Sequence, residues 1–239
     1  MSTLTLIRHG QATPFEDDPD RLSELGQTQA RMLGVYWLRN NVKFDEIYTG
    51  TLVRQQQTAQ HVSDVIREAG QSWPIAKSIK SFNEYQAETI WKVLVPELVS
   101  RDPSLAVLID AYERDRDSDN RNRSFQRALE AVMNRWQTEN LMSNQFESWL
   151  AFRDRVCSGL KEIFNGNGSS RRVALFTSGG PIGTAIQLAL KAPDRSALEV
   201  NWRVRNCSLT EFVFTRDRFS LDSFNTLPHL EDTSLWSYR

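Results

Sequence analysis

Three places in this chain gather residue types suited to handling an anion. The run TLTLI ends in Arg8, His9 and Gly10, Arg54 opens a helix-like segment, and Thr177, Ser178, Gly179 and Gly180 join an apolar run to another helix-like segment. Arginine stays charged at physiological pH, and its planar fork can donate to two oxygens at once. A neutral imidazole is a competent nucleophile near pH 7, with one nitrogen free to attack while a backbone carbonyl holds the other. A glycine pair entering a helix offers free backbone N–H groups and the positive end of the helix dipole. Two arginines, a histidine and a helix start converging on one phosphate would form a strong anion site. Taken singly, each residue has a plainer reading: Arg8 and His9 solvate a strand end, Gly10 makes a turn, and Arg54 is a surface arginine.

Strands must end where these residues stand. TLTLI reads as a strand, and SELGQTQARMLGVYWLR as a helix with Ser23 as its N-cap and one apolar face at Leu25, Met32, Leu33, Tyr36 and Trp37. FDEIYTG reads as a short strand running into a turn, TLVRQQQTAQHVSDVIREAG as a helix closed by Gly70, and WPIAKSIKSFNEY as an extended passage. RRVALFTSGG is an unbroken apolar run of the buried parallel kind, followed by the helix PIGTAIQLALK with Pro181 in its first turn. CSLTEFVF, a turn at Arg216 and Asp217, and FSLDSFN form an edge hairpin. Strands alternating with helices predict an α/β three-layer sandwich, with a mainly parallel sheet and helices on both faces. In such sheets ligands bind beyond the carboxyl ends of strands, where Arg8, His9, Arg54 and the Thr177–Gly180 stretch all fall.

From about 87 to 150 the strand signal stops, within what otherwise reads as one domain over 1–239. TIWKVLVPELVS, SFQRALEAVMNRWQTE and ESWLAFRDRVCSGLKEIF are helical segments around the charged stretch ERDRDSDNRNR, which reads as a solvated loop or frayed helix. The expectation is a helical insertion capping the site, its last helix returning to the main layer, with Trp91, Trp136 and Trp149 as core. The 239 residues carry 29 basic and 30 acidic side chains, so nothing global suggests a nucleic-acid binder and any attraction for anions is local. Two cysteines, Cys157 and Cys207, support neither a disulfide framework nor a cysteine metal site. The start MSTLTLIRHG lacks a basic-then-apolar leader, and no window approaches the ~18 apolar residues of a membrane span, so a soluble cytoplasmic protein without a membrane partner is expected. Oligomeric state is not readable; the final SLWSYR packs either on its own domain or on a partner.

The ordered series LIRHGQAT, LSELGQTQA, IYTGTLVRQQQTA, FNEY and FTSGGPIG resembles the histidine phosphatase superfamily, with its phosphoglycerate-mutase-like fold. The resemblance covers both ends of the chain and leaves the insertion aside. It implies that His9 is the nucleophile and becomes a phosphohistidine, that Arg8 and Arg54 bind phosphoryl oxygens, and that Glu84 donates a proton to the leaving group. No cofactor and no metal are implied. The expected partner is a small phosphorylated molecule, with a phosphoprotein as the lesser alternative. These roles are physically coherent, because positioning and charge stabilisation do most of the work of phosphoryl transfer, while an acid at Glu84 must be protonated to act.

One departure stands out. Where the family carries a second histidine before its glycines, this chain has Ser178, followed by Gly179. Ser178 can still donate a hydroxyl hydrogen bond and the helix start remains for phosphate, but a potentially cationic donor is gone, a change of the kind that costs roughly 10²–10³ in rate. The enzyme is then slow, retuned for another substrate, or a phosphoester-binding protein without catalysis. If the serine is a simple loss, Ser178→His is expected to raise turnover. His61, seven residues after Arg54, and His229 read as structural. A serine hydrolase using Ser178, Asp222 and His229 repeats a known chain order, yet Phe176 stands where a nucleophile elbow needs glycine. A mutase is disfavoured because the longer mutase pattern after Arg8-His9-Gly10 is absent.

Overall fold

The computed structural model describes residues 1–13 and 18–238. The chain divides into two compact units, residues 1–84 with 155–239, and residues 85–154. The larger unit is built on strands β1 (Ser2–Arg8), β2 (Glu46–Thr49), β3 (Lys77–Ser78), β4 (Arg172–Thr177), β5 (Leu209–Phe214) and β6 (Phe219–Thr226). Their order is β3-β2-β4-β1-β5-β6, with β1 to β4 mutually parallel and β5 and β6 antiparallel at one edge. This is the α/β fold expected from the alternating pattern.

Helices α1 (Glu24–Arg39) and α2 (Val53–Glu68) cover one face of the sheet, where Ile7, Ile47, Ala174, Phe176 and Leu209 meet Leu33, Trp37, Val62 and Ile66 in one buried cluster. Leu4, Leu6, Val173, Leu175, Phe212 and Phe214 alternate with those strand residues and are also buried. On that second face, Phe164 of α6 (Trp149–Phe164) lies with its ring 5.1 Å from that of Phe214. Burial on both faces explains why RVALFT is apolar throughout rather than alternating. Ser23 caps α1 by accepting the N–H of Gly26, and Gly70, at φ +75°, follows the end of α2. Helices α7 (Gly179–Leu190) and α8 (Arg195–Asn201) precede the edge hairpin, and α8 had no signal in the sequence reading.

The C-terminal stretch lies on its own unit. Gln29 Nε2 donates to Leu235 O at 2.7 Å and to Ser237 Oγ at 3.0 Å, and the N–H of Asn206 donates to Ser237 O at 2.8 Å. Arg239 lies outside the described residues.

The smaller unit contains α3 (Ala87–Arg101), α4 (Pro103–Arg114), α5 (Arg121–Thr138) and the first residues of α6. Its core joins Tyr85, Trp136, Trp149 and Phe152, with Trp136 and Trp149 edge to face at 5.6 Å. Trp91 is half-buried against Tyr112 and Phe125. The charged stretch is divided: its first residues end α4, Asp115–Asn120 forms a turn, and its last residues begin α5. Helix α4 was not anticipated, although Asp102 caps it by accepting from Ser104 and Leu105, and Pro103 occupies its first position. Among the described residues no helix is long and apolar enough to cross a membrane.

Candidate active site

His9 stands just past the end of β1, and its backbone is tied on three sides. Its N–H donates to Thr177 O at 2.8 Å, and its carbonyl accepts from Asn206 Nδ2 at 3.1 Å and from the N–H of Cys207 at 3.2 Å. The turn after it requires Gly10 for a reason other than conformational freedom: a Cβ there would lie 2.4 Å from Gly26 O of α1. The Gly10 N–H donates to Thr58 Oγ1 at 3.0 Å, and the same hydroxyl donates to Arg54 O at 2.7 Å. Thr58 thus joins the turn after the histidine to the turn of α2 that carries the arginine.

The imidazole lies between two groups that together fix its tautomer. Nδ1 is 2.7 Å from Gly10 O, which can only accept, and Nε2 is 3.1 Å from Arg54 Nε, which can only donate. The proton therefore sits on Nδ1, and Nε2 presents a lone pair. Burial first, then the positive charges of Arg54 and Arg8, hold the imidazole pKa well below 6.5, with the Gly10 contact opposing them. His9 is neutral at pH 7.

Arg54 occupies the first turn of α2 with its side chain mostly buried, and its Nη1 pairs with Asp20 Oδ1. Asp20 Oδ2 also accepts the N–H of Val53 at 2.7 Å. Arg8 directs Nη1 to Val204 O. In the parallel register Arg8 lies opposite Thr177, so Ser178 follows beside His9 on the neighbouring strand end. Ser178 is fully buried, and its Oγ accepts from Gln55 Nε2 at 2.8 Å. Glu84 Oε2 accepts the N–H of Gly180 at 3.0 Å. The helix start anticipated as a phosphate cradle thus holds a carboxylate at Gly180, consistent with the preference of a helix N-terminus for negative charge. Gly179 faces α8 closely: a Cβ there would fall 2.1 Å from Asn201 Oδ1.

His9, Arg54, Ser178, Gly179 and Glu84 are thus connected through β1, β4, α2, α7 and the 80–84 loop. His61 and His229 have no hydrogen bond to this cluster among the described residues: His61 Nδ1 and both ring nitrogens of His229 lack any partner. The serine-hydrolase alternative is corrected by the same facts. Ser178 Oγ is engaged by Gln55, His229 meets no carboxylate, and Asp222 is exposed on β6. Among the described residues no group of three or more His, Cys, Asp or Glu side chains is arranged to hold a metal ion. Asp20, Gln55 and Asn206 went unnoticed in the sequence; Thr58 was within reach, since TLVRQQQTA puts it four residues after Arg54.

A family model of the histidine phosphatase superfamily (branch 1) matches residues 4–80 and 111–227, and the chain belongs to that superfamily. A 2,3-bisphosphoglycerate-dependent phosphoglycerate mutase of Bartonella tribocorum is 42% identical over 78 residues, 29% of this chain and 35% of the mutase. The chain therefore matches about a third of the length of that curated relative. A phosphoglycerate mutase of Bacillus anthracis shares the fold with a TM-score of 0.62 at 18% identity, covering 96% of this chain and 95% of that one. A phosphoserine phosphatase of Entamoeba histolytica does so with a TM-score of 0.60 at 20% identity, covering 96% and 100%.

Proposed function

We propose that the chain is a phosphatase acting on a small phosphomonoester through a phosphohistidine at His9. The observation that carries this reading is the tautomer of His9, whose Nδ1–H is held by Gly10 O while Nε2 presents its lone pair beside an arginine. Nε2 attacks phosphorus as the bond to the leaving oxygen breaks, and the carboxyl of Glu84 gives its proton to that oxygen. Water then attacks phosphorus, the N–P bond breaks, Glu84 takes the water proton, and phosphate departs. Arg8 and Arg54 stabilise charge on the equatorial oxygens, with Arg54 turning from Nε2 to the incoming group. Ser178 and Gly179 line the same side of the phosphoryl group.

A second reading, a phosphoester-binding protein with weak or no turnover, draws on a different pair of contacts. Arg54 and the N–H of Gly180 both already hold carboxylates, from Asp20 and Glu84, and a phosphoryl group must displace or share them. Hydrolysis of p-nitrophenyl phosphate by the wild type and by His9→Ala, with EDTA and no added metal, separates the two. Turnover lost in His9→Ala supports the phosphohistidine route. Turnover no higher than the His9→Ala background, in folded protein that still binds vanadate, supports the binding protein.

A further inference from the structure

The loop bearing Glu84 has no regular strand or helix to stiffen it beyond the 3₁₀ turn Lys80–Phe82, yet a general acid works only when its carboxyl is held within hydrogen-bond reach of the leaving oxygen. One side chain of α6 grips that loop by its backbone. Arg155 Nη1 donates to Ser81 O at 2.8 Å and to Asn83 O at 2.9 Å, and its Nη2 donates to Glu84 O at 3.4 Å. One turn further along the same helix face, Gly159 lets α6 approach the loop closely: a Cβ there would lie 2.9 Å from both Phe82 Cζ and Ser81 Cβ. The loop is thus seated against α6 by a bare glycine and held by a guanidinium fork spanning three carbonyls. The other end of the arrangement is the Glu84 carboxylate on the Gly180 N–H.

We propose that Arg155 is a positioning residue for the proton-donor carboxyl of Glu84, fixing the loop so that protonation of a poor leaving group keeps pace with phosphoryl transfer. The proposal rests on the phosphatase reading above. Through these three bonds Arg155 holds backbone carbonyls, and it takes no part in bond making. Lysine in its place would keep the charge but donates from a single nitrogen, which lacks the reach of the planar fork across three carbonyls.

The test compares two substrates that differ in their need for an acid. p-Nitrophenolate departs readily without protonation, whereas the alkoxide of β-glycerophosphate must be protonated as it leaves. Arg155→Lys is expected to lower kcat on β-glycerophosphate by about tenfold or more, with the loss on p-nitrophenyl phosphate within about threefold, since a displaced acid penalises only the step that uses it. In a Glu84→Gln background the same substitution is expected to leave the ratio of the two rates unchanged, because the group it positions is gone. Arg155→Gln, which retains an amide donor, serves as a second variant should Arg155→Lys fold poorly, with near-ultraviolet circular dichroism as the check. Equal losses on both substrates, or an unchanged ratio with Glu84 present, would overturn the role of Arg155. Turnover of p-nitrophenyl phosphate that survives His9→Ala would instead overturn the phosphatase reading beneath it.

Discussion

Asp20 and Arg54 form an ion pair in which one carboxylate does two jobs: it holds the guanidinium that faces His9, and it accepts the N–H of Val53 at the start of α2 at 2.7 Å. On the proposed reading the carboxylate competes with a phosphoryl group for Arg54 while keeping the arginine beside His9. Asp20→Asn keeps a good helix-capping side chain and removes the competing charge. Its expected effect is a several-fold tighter binding of inorganic phosphate by calorimetric titration. The stability change is expected to stay within about 1 kcal/mol, because asparagine can still accept the Val53 N–H. Weaker phosphate binding would show that the orientation supplied by Asp20 outweighs its competition.

The protonation of His9 gives a second prediction. A nucleophilic imidazole must be neutral, and burial with two nearby arginines lowers its pKa, so the neutral form persists as pH drops below 6.5 and is lost only at more acid pH. NMR titration of the His9 ring in the free protein is expected to show a midpoint well below 6.5. Arg54→Met removes one cation and is expected to raise that midpoint without restoring the ordinary value, since burial is the largest cause and remains. A midpoint at or above 6.5 in the wild type would contradict the geometry at His9.

Much of this arrangement was legible because local rules produce it. The β1 and β4 runs, the Ser23 cap, the Gly70 stop and the glycine pair entering α7 each carry their signal within a few residues. What escaped notice was polar and long-range. Gln55 meets a serine 123 positions away, and Asn206 meets the His9 carbonyl across 197 positions. A glutamine or asparagine has no periodicity that reveals such a partner. Asp20 sits in the run EDDPD, where several carboxylates look equally able to pair with an arginine. Helix α4 is hard to read for a different reason: Leu105 is its buried residue and its apolar residues run together from Leu105 to Ile109, so no apolar stripe at helical spacing accompanies the Asp102–Pro103 start.

His229 links the fold to pH. It is buried, its ring tilts against Tyr36 at 6.4 Å, and burial pulls its pKa from 6.5 down to about 4. Between those values the unfolded chain binds more protons than the folded one, so stability rises with pH. The contribution is complete above pH 6.5 and is lost as pH falls through about 4. It amounts to about 3 kcal/mol at most. His229→Leu is expected to lessen the slope of the stability curve across this window in denaturant titrations, leaving the dependence due to His9 and His61, whose pKa values are also lowered. Parallel curves for variant and wild type would remove His229 as a source of acid sensitivity.

The serine beside His9 gives the last prediction, and the packing around it argues for the opposite outcome to that of a simple loss. If Ser178 were a simple loss of a histidine, Ser178→His would restore a donor and raise turnover. Ser178 is instead fully buried, with the Gln55 amide 2.8 Å from its hydroxyl. The amide has little room to retreat, because it lies against bare Gly50, where a Cβ would come within 1.9 Å of Gln55 Oε1. Its Nε2 is also committed to Phe82 O at 3.1 Å, in the loop that leads to Glu84. An imidazole at position 178 would collide with that amide, costing roughly 1–3 kcal/mol by overpacking, and would disturb the Glu84 loop. Ser178→His alone is therefore expected to lower both the melting temperature and p-nitrophenyl phosphate turnover. Ser178→His with Gln55→Ala clears the space and is expected to recover stability relative to the single variant, with turnover rising above it. Higher turnover in Ser178→His alone would show that Gln55 yields to the ring, and that the serine is a simple loss after all.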